Sequence, residues 1–270
     1  MKKNIVLILV IALVLSLSTS AFAVTGKEVM DDAKGVFNDG DTMHALMGMD
    51  LIDQEGNVRS RTLEVWGITY NQQKDLSKMV MEFQQPASIA GTRFLQTENE
   101  NRGDDKWIYL PGLGRVRRIS SEQGNNSFVG SDFTYDDLET RAVEEDNHTL
   151  LREEKLGEYQ CYVVESIPKN KADAQYAKRI SWVTKKHSIP VRVEMYSKKT
   201  NELEKLLTIK HNIEKINGYW TIYNALMEDK ESGHATRLYI KRNNAGQPFI
   251  EYDKKISPQR FTQRFLKLGR

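Results

Sequence analysis

The segment from Gly114 to Leu138 reads GRVRRISSEQGNNSFVGSDFTYDDL, and it decides which fold the chain is expected to adopt. It opens as a strand that carries three arginines: Arg115, Arg117 and Arg118. A polar turn at 120–126 follows, rich in the Ser, Asn and Gly residues that favour turns. Residues 128–138, which we name the lid, then combine aromatic, glycine and aspartate residues.

The lid is unusual because Phe128, Phe133 and Tyr135 lie close together in it. A solvated loop does not need these aromatic side chains, and Gly130 disfavours a regular strand. Two interpretations stay open at this point. The lid is either a mobile cover whose aromatic side lies on an apolar surface, or a buried loop that plugs an ordinary core.

A short helix is predicted within the lid. Ser131 or Asp132 is a suitable N-cap, and the acidic residues Asp136 and Asp137 follow it into a first helical turn. Gly130 would then give the lid a hinge. The lid residues with a predicted functional role are Phe128, Gly130, Asp132, Phe133, Tyr135 and Leu138.

Several short motifs here resemble the LolA-like outer-membrane lipoprotein-sorting proteins. They are WIYLP at 107–111, RVRRI at 115–119 and GSDFTYDDL at 130–138, with QQPASIAGTRFL at 84–95 upstream. The third motif, placed after an arginine-rich strand, is the specific one. The resemblance covers nearly all of the predicted mature chain. It implies a curved, incomplete β-barrel with helices over its open mouth and a hydrophobic cavity for acyl chains between them.

The N-terminus predicts export. Lys2 and Lys3 precede an apolar run at 5–17 and an Ala-x-Ala cleavage site at 21–23. The apolar run is shorter than the ~18 residues of a membrane span, so a removable signal is expected rather than an anchor. We therefore expect a signal peptide at 1–23 and a single LolA-like lipid- or lipoprotein-binding domain at 24–270, soluble in the periplasm.

The composition limits which classes of partner and which covalent links are expected. Once the signal is removed, 37 basic residues balance 37 acidic ones, which argues against bulk nucleic-acid binding. Cys161 is the only cysteine, so no internal disulfide forms, and we expect it to be a buried structural thiol. No cysteine lies beside the cleavage site to carry a lipid anchor.

Strand patterns dominate the rest of the chain. The sequence predicts a mainly β fold with a few helices: a single large curved antiparallel sheet, an unclosed half-barrel, covered by an N-terminal helix at 24–38 and the short helical lid. Thr25 and Glu28 predict a capping box for that helix. A terminal helix is expected at 258–268. Strands are predicted at 42–54, 58–70, 75–85, 91–97, 106–111, 115–120, 149–156, 159–167, 178–184, 190–197, 203–216, 219–229 and 234–242.

Methionines and aromatic residues in the early strands are the candidate lining of an acyl-chain cavity. Methionine is flexible and polarizable and adapts to several apolar shapes. Ordinary core filling remains the alternative for each of these residues. The candidates are Met47, Met49, Trp66, Met79, Met81, Phe83, Phe94, Trp107 and Tyr109.

The three arginines have two possible roles. Arginine binds phosphate and carboxylate groups through forked hydrogen bonds, so Arg115, Arg117 and Arg118 are candidates for a polar head group or acidic partner at the cavity mouth. Pairing with Asp136 and Asp137 would instead make them a latch that holds the lid closed, and this is the favoured interpretation.

Patterns typical of catalysis are absent from the sequence. It has no Gly-x-Ser-x-Gly elbow and no phosphate-binding glycine loop, and its histidines show no metal-ligand spacing. We expect no enzyme activity, cofactor or metal. The expected function is that of a monomeric periplasmic carrier for the acyl chains of lipoproteins or lipids. An inner-membrane exporter is the expected donor, and the acceptor lies at the outer membrane. The alternative is a sensor or adaptor of a membrane protein that holds no lipid.

Overall fold

A computed structural model describes residues 24–36, 40–139, 141–209 and 213–270. The predicted signal peptide and the last two residues of the predicted N-terminal helix lie outside these ranges. Helix α1 spans Gly26–Val36, and α2 spans Gln263–Leu268 after a 3₁₀ turn at Pro258–Phe261. None of the helices in the described ranges is both long and apolar enough to cross a bilayer.

Sixteen strands occupy the described part of the chain. They are β1 (Thr42–Ile52), β2 (Val58–Asn71), β3 (Leu76–Gln85), β4 (Arg93–Thr97), β5 (Asp105–Leu110), β6 (Arg115–Ile119), β7 (Asp146–Leu156), β8 (Tyr159–Pro168), β9 (Lys178–Thr184), β10 (Pro190–Tyr196), β11 (Leu203–Ile209), β12 (Ile213–Ile216), β13 (Tyr219–Ile222), β14 (Asn224–Asp229), β15 (Ala235–Ile240) and β16 (Ile250–Tyr252).

One antiparallel sheet of 14 strands forms the body of the protein. Its order is β6-β5-β4-β3-β2-β1-β15-β14-β11-β10-β9-β8-β7, and β16 pairs with part of β1. Strands β6 and β7 are the two ends of this order, so the sheet does not close into a barrel. The prediction of a mainly β fold with a large unclosed antiparallel sheet is confirmed.

Two predicted strands each contain two observed strands, and one strand was missed. The strand predicted at 203–216 contains β11 and β12, with 210–212 outside the described residues, and the strand predicted at 219–229 contains β13 and β14. The register changes by one residue between the pairs Ile209↔Ala225 and Ile213↔Ile222. Strand β16 has only three residues and lacks a sequence signal of its own.

The helix α1 begins as the sequence predicts. The backbone N–H of Thr25 donates to Glu28 Oε2 at 2.8 Å, and the N–H of Glu28 donates to Thr25 Oγ1 at 3.2 Å. This reciprocal pair of hydrogen bonds is the predicted capping box, and it satisfies N–H groups that have no partner within the helix.

The helix α1 and the lid cover the same face of the sheet, which we name the inner face. Val29 and Ala33 of α1 pack against Val164. Val164 pairs with Ser181, which pairs with Val193, a residue of the core beneath the lid. Because paired residues point to the same side of a sheet, α1 and the lid lie on one side.

The opposite, outer face is closed by the C-terminal helix. Phe265 and Leu266 of α2 pack against Val80 and Leu95 of the sheet. Farther along the outer face, a second cluster buries Cys161 with its neighbours Val163, Trp182 and Val191. Burial raises the pKa of the Cys161 thiol, as expected for a structural cysteine.

Replacing Leu266 should show how strongly the outer face depends on α2. Leu266→Ala removes a fully buried side chain and should lower the free energy of unfolding by about 2–5 kcal/mol. Leu268→Ala is the matched control, because Leu268 in the same helix is 46% exposed, and its change should stay within about 0.5 kcal/mol. Urea denaturation measures both. Equal effects would contradict the packing described for α2.

Candidate functional site

The lid begins with a tight antiparallel turn. Ser127 and Thr134 form an isolated bridge, and the N–H of Phe128 donates to the carbonyl of Phe133 at 2.7 Å. The chain reverses at Val129 and Gly130, whose φ angles are 51° and 76°. Glycine adopts this left-handed conformation without the steric penalty of a side chain, so the predicted hinge position is also the tip of the turn.

The helix of the lid starts later than predicted. It is a 3₁₀ turn at Asp136–Leu138, preceded by Thr134, whose Oγ1 accepts from the N–H of Asp137 at 3.1 Å. The side chains of the predicted caps are engaged elsewhere. Ser131 Oγ donates to the Phe128 carbonyl at 2.8 Å, and the carboxylate of Asp132 accepts from Thr236 Oγ1 at 2.6 Å. The predicted N-cap was therefore wrong.

Aromatic contacts hold the lid against the inner face. The ring of Phe128 lies 5.2 Å from Phe94, 6.0 Å from Phe83 and 5.6 Å from Tyr135, measured between centroids. Phe133 joins the same buried cluster. The aromatic side of the lid therefore lies on an apolar surface built by the sheet.

Six of the nine candidate lining residues belong to the core beneath the lid. Met49, Met81, Phe83 and Phe94 are buried in it, and Met47 and Met79 pack half-buried against it. These residues fall into rows across neighbouring strands, as in the pairings Leu63↔Phe83 and Met81↔Phe94. The structure thus brings most of the predicted set together on one face.

The other three candidates face the opposite side. Trp66, Trp107 and Tyr109 pack with α2 on the outer face, so their predicted place in a cavity was wrong. The reason is the two-residue period of a strand: Trp66 pairs with Val80, and Trp107 pairs with Leu95, both residues of the outer-face core. Aromatic type alone does not indicate which face a residue occupies.

A charge latch holds the lid, but its cations are not the predicted arginines. Asp136 forms an ion pair with Lys106, which also contacts Glu139 at 2.6 Å. Asp137 accepts a hydrogen bond from the hydroxyl of Tyr176 at 3.0 Å and lies 3.6 Å from Lys205 Nζ. The predicted partnership of these aspartates with the arginine strand was therefore wrong.

The positions of the arginines explain this outcome. Val116 belongs to the outer-face core, so Arg118, two residues along the same strand, also points outward, and it pairs with Asp105 at 2.7 Å. Arg115 is exposed. Arg117 lies near Tyr135 of the lid and lowers its pKa, although burial dominates and raises that pKa overall.

Three cations that the sequence analysis missed bind backbone or carboxylate groups of the lid. Arg61 Nη1 donates to the carbonyl of Val129 at 2.6 Å, and Lys205 Nζ donates to the carbonyl of Asp132 at 2.6 Å. Lys106 is the third. Each lies two residues from an apolar inner-face residue of its own strand, as Lys106 does from Ile108, so both side chains point to the inner face. A cation in phase with a buried face is the sequence signal that would have revealed them.

An open cleft of about 780 Å³ adjoins the closed lid. It lies between α1, the end of the lid and the edge of β1–β4. Its inner-face floor is a row of paired residues: Met43, Gly67, Met79 and Gln96. Leu138 of the lid lines the cleft on one side and Lys34 of α1 does so on another. The methionine-rich face is therefore accessible at one end without moving the lid.

Carboxylates are concentrated at the inner end of this cleft. Burial raises the pKa of Asp104 to about 7, helped by the nearby charge of Glu139, while a hydrogen bond from Gln96 opposes the shift. Gln96 Nε2 donates to Asp104 Oδ2 at 2.7 Å and to the carbonyl of Leu138 at 3.2 Å. Burial also raises the pKa of Glu139, against the effect of Lys106. The described residues contain no cluster of side chains suited to hold a metal ion.

Comparisons with known proteins agree with this geometry. A family model described as "-like: Uncharacterized protein" matches residues 75–268. A structure described as an outer membrane lipoprotein-sorting protein domain, from Vibrio parahaemolyticus, is 28% identical, with a TM-score of 0.80, covering 90% of this chain and 98% of its own. The chain belongs to the LolA-like family.

Two further structures share the fold of this LolA-like protein. A DUF1329 family protein from Desulfovibrio piger is 27% identical, with a TM-score of 0.79, and the match covers 89% of this chain and 98% of that one. A LolA superfamily protein from Nitrosomonas europaea is 20% identical, with a TM-score of 0.65, covering 90% and 100%. No curated protein matches the sequence. The descriptions of these three structures name lipoprotein sorting, the DUF1329 family and the LolA superfamily, and none of the three names an enzyme.

Removing the bond between Arg61 and the lid should loosen the lid. Arg61→Ala deletes a charge-assisted hydrogen bond worth about 1.5–3 kcal/mol, so amide exchange at 128–138 should become about 10- to 100-fold faster. Arg118→Ala is the control, because that side chain lies on the outer face. Hydrogen exchange with mass spectrometry measures both. Unchanged exchange in Arg61→Ala would show that the bond does not hold the lid.

The raised pKa of Asp104 predicts a specific dependence of stability on pH. An unfolded aspartate titrates near 3.9, whereas Asp104 titrates at about 7 when folded, so the folded protein binds the extra proton between these values. The contribution of Asp104 to stability is therefore present at low pH and is lost as the pH rises through 7. Asp104→Asn should remove this loss, so its stability relative to the parent should rise between pH 5 and 8.

Asp105 offers the matched control for that experiment. Hydrogen bonds from Arg102 and Arg118 lower its pKa to about 2, so it is ionised throughout this range. Asp105→Asn should therefore change the free energy of unfolding by the same amount at pH 5 and pH 8. Urea denaturation at both values measures the two variants. A constant difference for Asp104→Asn as well would contradict the titration assigned to Asp104.

Proposed function

We propose that this LolA-like protein is a periplasmic carrier that binds the acyl chains of lipoproteins or lipids on its inner face. The observation that carries the proposal is a methionine-rich apolar face that the chain covers with its own aromatic lid and leaves open at one end, in a cleft of about 780 Å³. The similarity to a lipoprotein-sorting domain from Vibrio parahaemolyticus supports it.

Binding would exchange the contacts of the lid for contacts of the cargo. Phe128 and Tyr135 occupy the inner face in the closed protein, so a long chain must displace them to reach Met81 and Phe94. Each buried methylene of the cargo contributes ~0.8 kcal/mol. A dozen methylenes therefore supply roughly 10 kcal/mol, which is comparable with the apolar burial and the few hydrogen bonds that the lid gives up. The cleft gives such a chain its entry.

Release requires the reverse exchange. An acceptor with a better apolar site takes the chain, and the lid returns to the face it left. No bond of the cargo needs to be broken, so the carrier needs no catalytic group. We propose an inner-membrane exporter as donor, an outer-membrane protein as acceptor, and a monomer as the working form.

The direct test is to identify what the protein carries. Protein exported in a bacterial host and purified without detergent should yield acyl lipid or lipoprotein on organic extraction and mass spectrometry. Met79→Trp, which fills the floor of the cleft, should weaken the binding of a fluorescent fatty-acyl probe at least about tenfold. Val58→Trp is the control, since Val58 is 54% exposed and outside the cleft.

Two results together would contradict the proposed carrier function. In the first, the organic extract contains no lipid. In the second, Met79→Trp folds normally and binds the probe with the same affinity as the parent protein. That pair of results would favour the sensor or adaptor, which binds a membrane protein through its sheet and holds no lipid.

A further inference from the structure

The lining of the cleft contains more acidic than basic residues. The acidic residues that line the cleft are Asp75, Glu98, Glu100, Asp104, Glu139, Glu144 and Glu145, and the basic ones are Lys34, Lys74, Lys78, Arg102 and Arg141. Several of these groups already have partners. Lys74 pairs with Glu100, Arg102 with Asp105, and Arg141 with Asp146 and Glu145. Glu139 pairs with Lys106, and Glu144 with Lys27. Asp104 accepts a neutral hydrogen bond from Gln96 and forms no ion pair among the described residues.

An unsatisfied acceptor lies beside these carboxylates. Gln96 is 4% exposed, and its Oε1 receives no hydrogen bond from the described residues, while its Nε2 is fully used. A buried acceptor without a donor costs about 1–3 kcal/mol, so the site gains from a ligand that brings an N–H or O–H group. Gln96 also continues the row that contains Met43 and Met79, and Lys106 of β5 follows it in that row.

We propose that the inner end of the cleft is a head-group subsite for a cationic amphiphile, one that carries a protonated primary amine on an apolar chain. This inference rests on the carrier function and names the chemical class of its ligand. An ammonium group has three N–H donors and no acceptor. It satisfies the Asp104 carboxylate and Gln96 Oε1 together, while its chain lies along Met79 and Met43. An anionic head group would meet the Asp104 carboxylate instead and be repelled.

Proton linkage gives this subsite a measurable signature. The charged and titratable groups near Asp104 are Glu139 directly after the lid, Glu98 after β4, Lys106 on β5, and Arg102 and Tyr70 from the neighbouring turn and strand. Its pKa of about 7 means that half of the protein carries a proton there at neutral pH. A bound ammonium favours the ionised carboxylate and releases that proton. The affinity for the amine therefore rises about tenfold from pH 6 to pH 8.

The experiment compares three probes with the same chain: dodecylamine, dodecanol and dodecanoate, each below its aggregation concentration. Calorimetric titration of the parent protein should show the amine binding at least about tenfold more tightly than dodecanoate, with proton release at pH 7 measured in two buffers of different ionisation enthalpy. Asp104→Asn should abolish both the proton release and the rise with pH. Asp105→Asn, the neighbouring control, should keep both.

The outcomes distinguish failure of the head-group subsite from failure of the carrier function. Equal affinity for the three probes, or tighter binding of dodecanoate, overturns the cationic subsite and leaves the carrier intact. Amine binding without proton release in the parent protein also overturns it, and this measurement needs no variant. Failure of all three probes to bind contradicts the carrier itself.

Discussion

The contact between the aromatic lid and the inner face is the interaction on which the rest of this protein depends. A sheet of 14 antiparallel strands that does not close leaves one long apolar face without a partner of its own. Helix α1 covers the β7–β9 part of it, and the lid covers the part built by the early strands. Phe128 supplies the central side chain, because it touches both Phe83 and Phe94 while Tyr135 packs against it from the lid.

The polar bonds of the lid have a different role from its aromatic contacts. Lys106 and Lys205 are nearly buried, and a buried charge destabilises a protein unless it is paired. The lid supplies those pairs through Asp136 and the carbonyl of Asp132. These bonds therefore define one position of the lid more than they add net stability. When the lid leaves, the same cations lose their partners, which favours its return.

The sequence predicted the parts of this architecture that depend on local pattern. Alternation in the strands and the Thr25–Glu28 capping box led to the correct elements, and the aromatic composition of 128–138 indicated its burial against an apolar surface. The predicted face of Trp66 was wrong, because alternation separates the two faces of a strand without indicating which one is inner. The predicted partner of Asp136 in the latch was wrong, because proximity along the chain favoured Arg118. The actual partner, Lys106, lies within β5 of the β5–β6 hairpin, where the sequence analysis considered only the apolar residues of the strand.

The single thiol of the protein is a built-in reporter of which kind of opening takes place. Cys161 is fully buried in the outer-face cluster with Val163 and Val191, on the side of the sheet that the lid does not touch. Movement of the lid leaves this cluster covered, whereas separation of β8 from its neighbouring strands exposes it. The rate of alkylation of Cys161 therefore reports opening of this part of the sheet. A cargo that enters and leaves while Cys161 stays unmodified passes through an opening confined to the inner face.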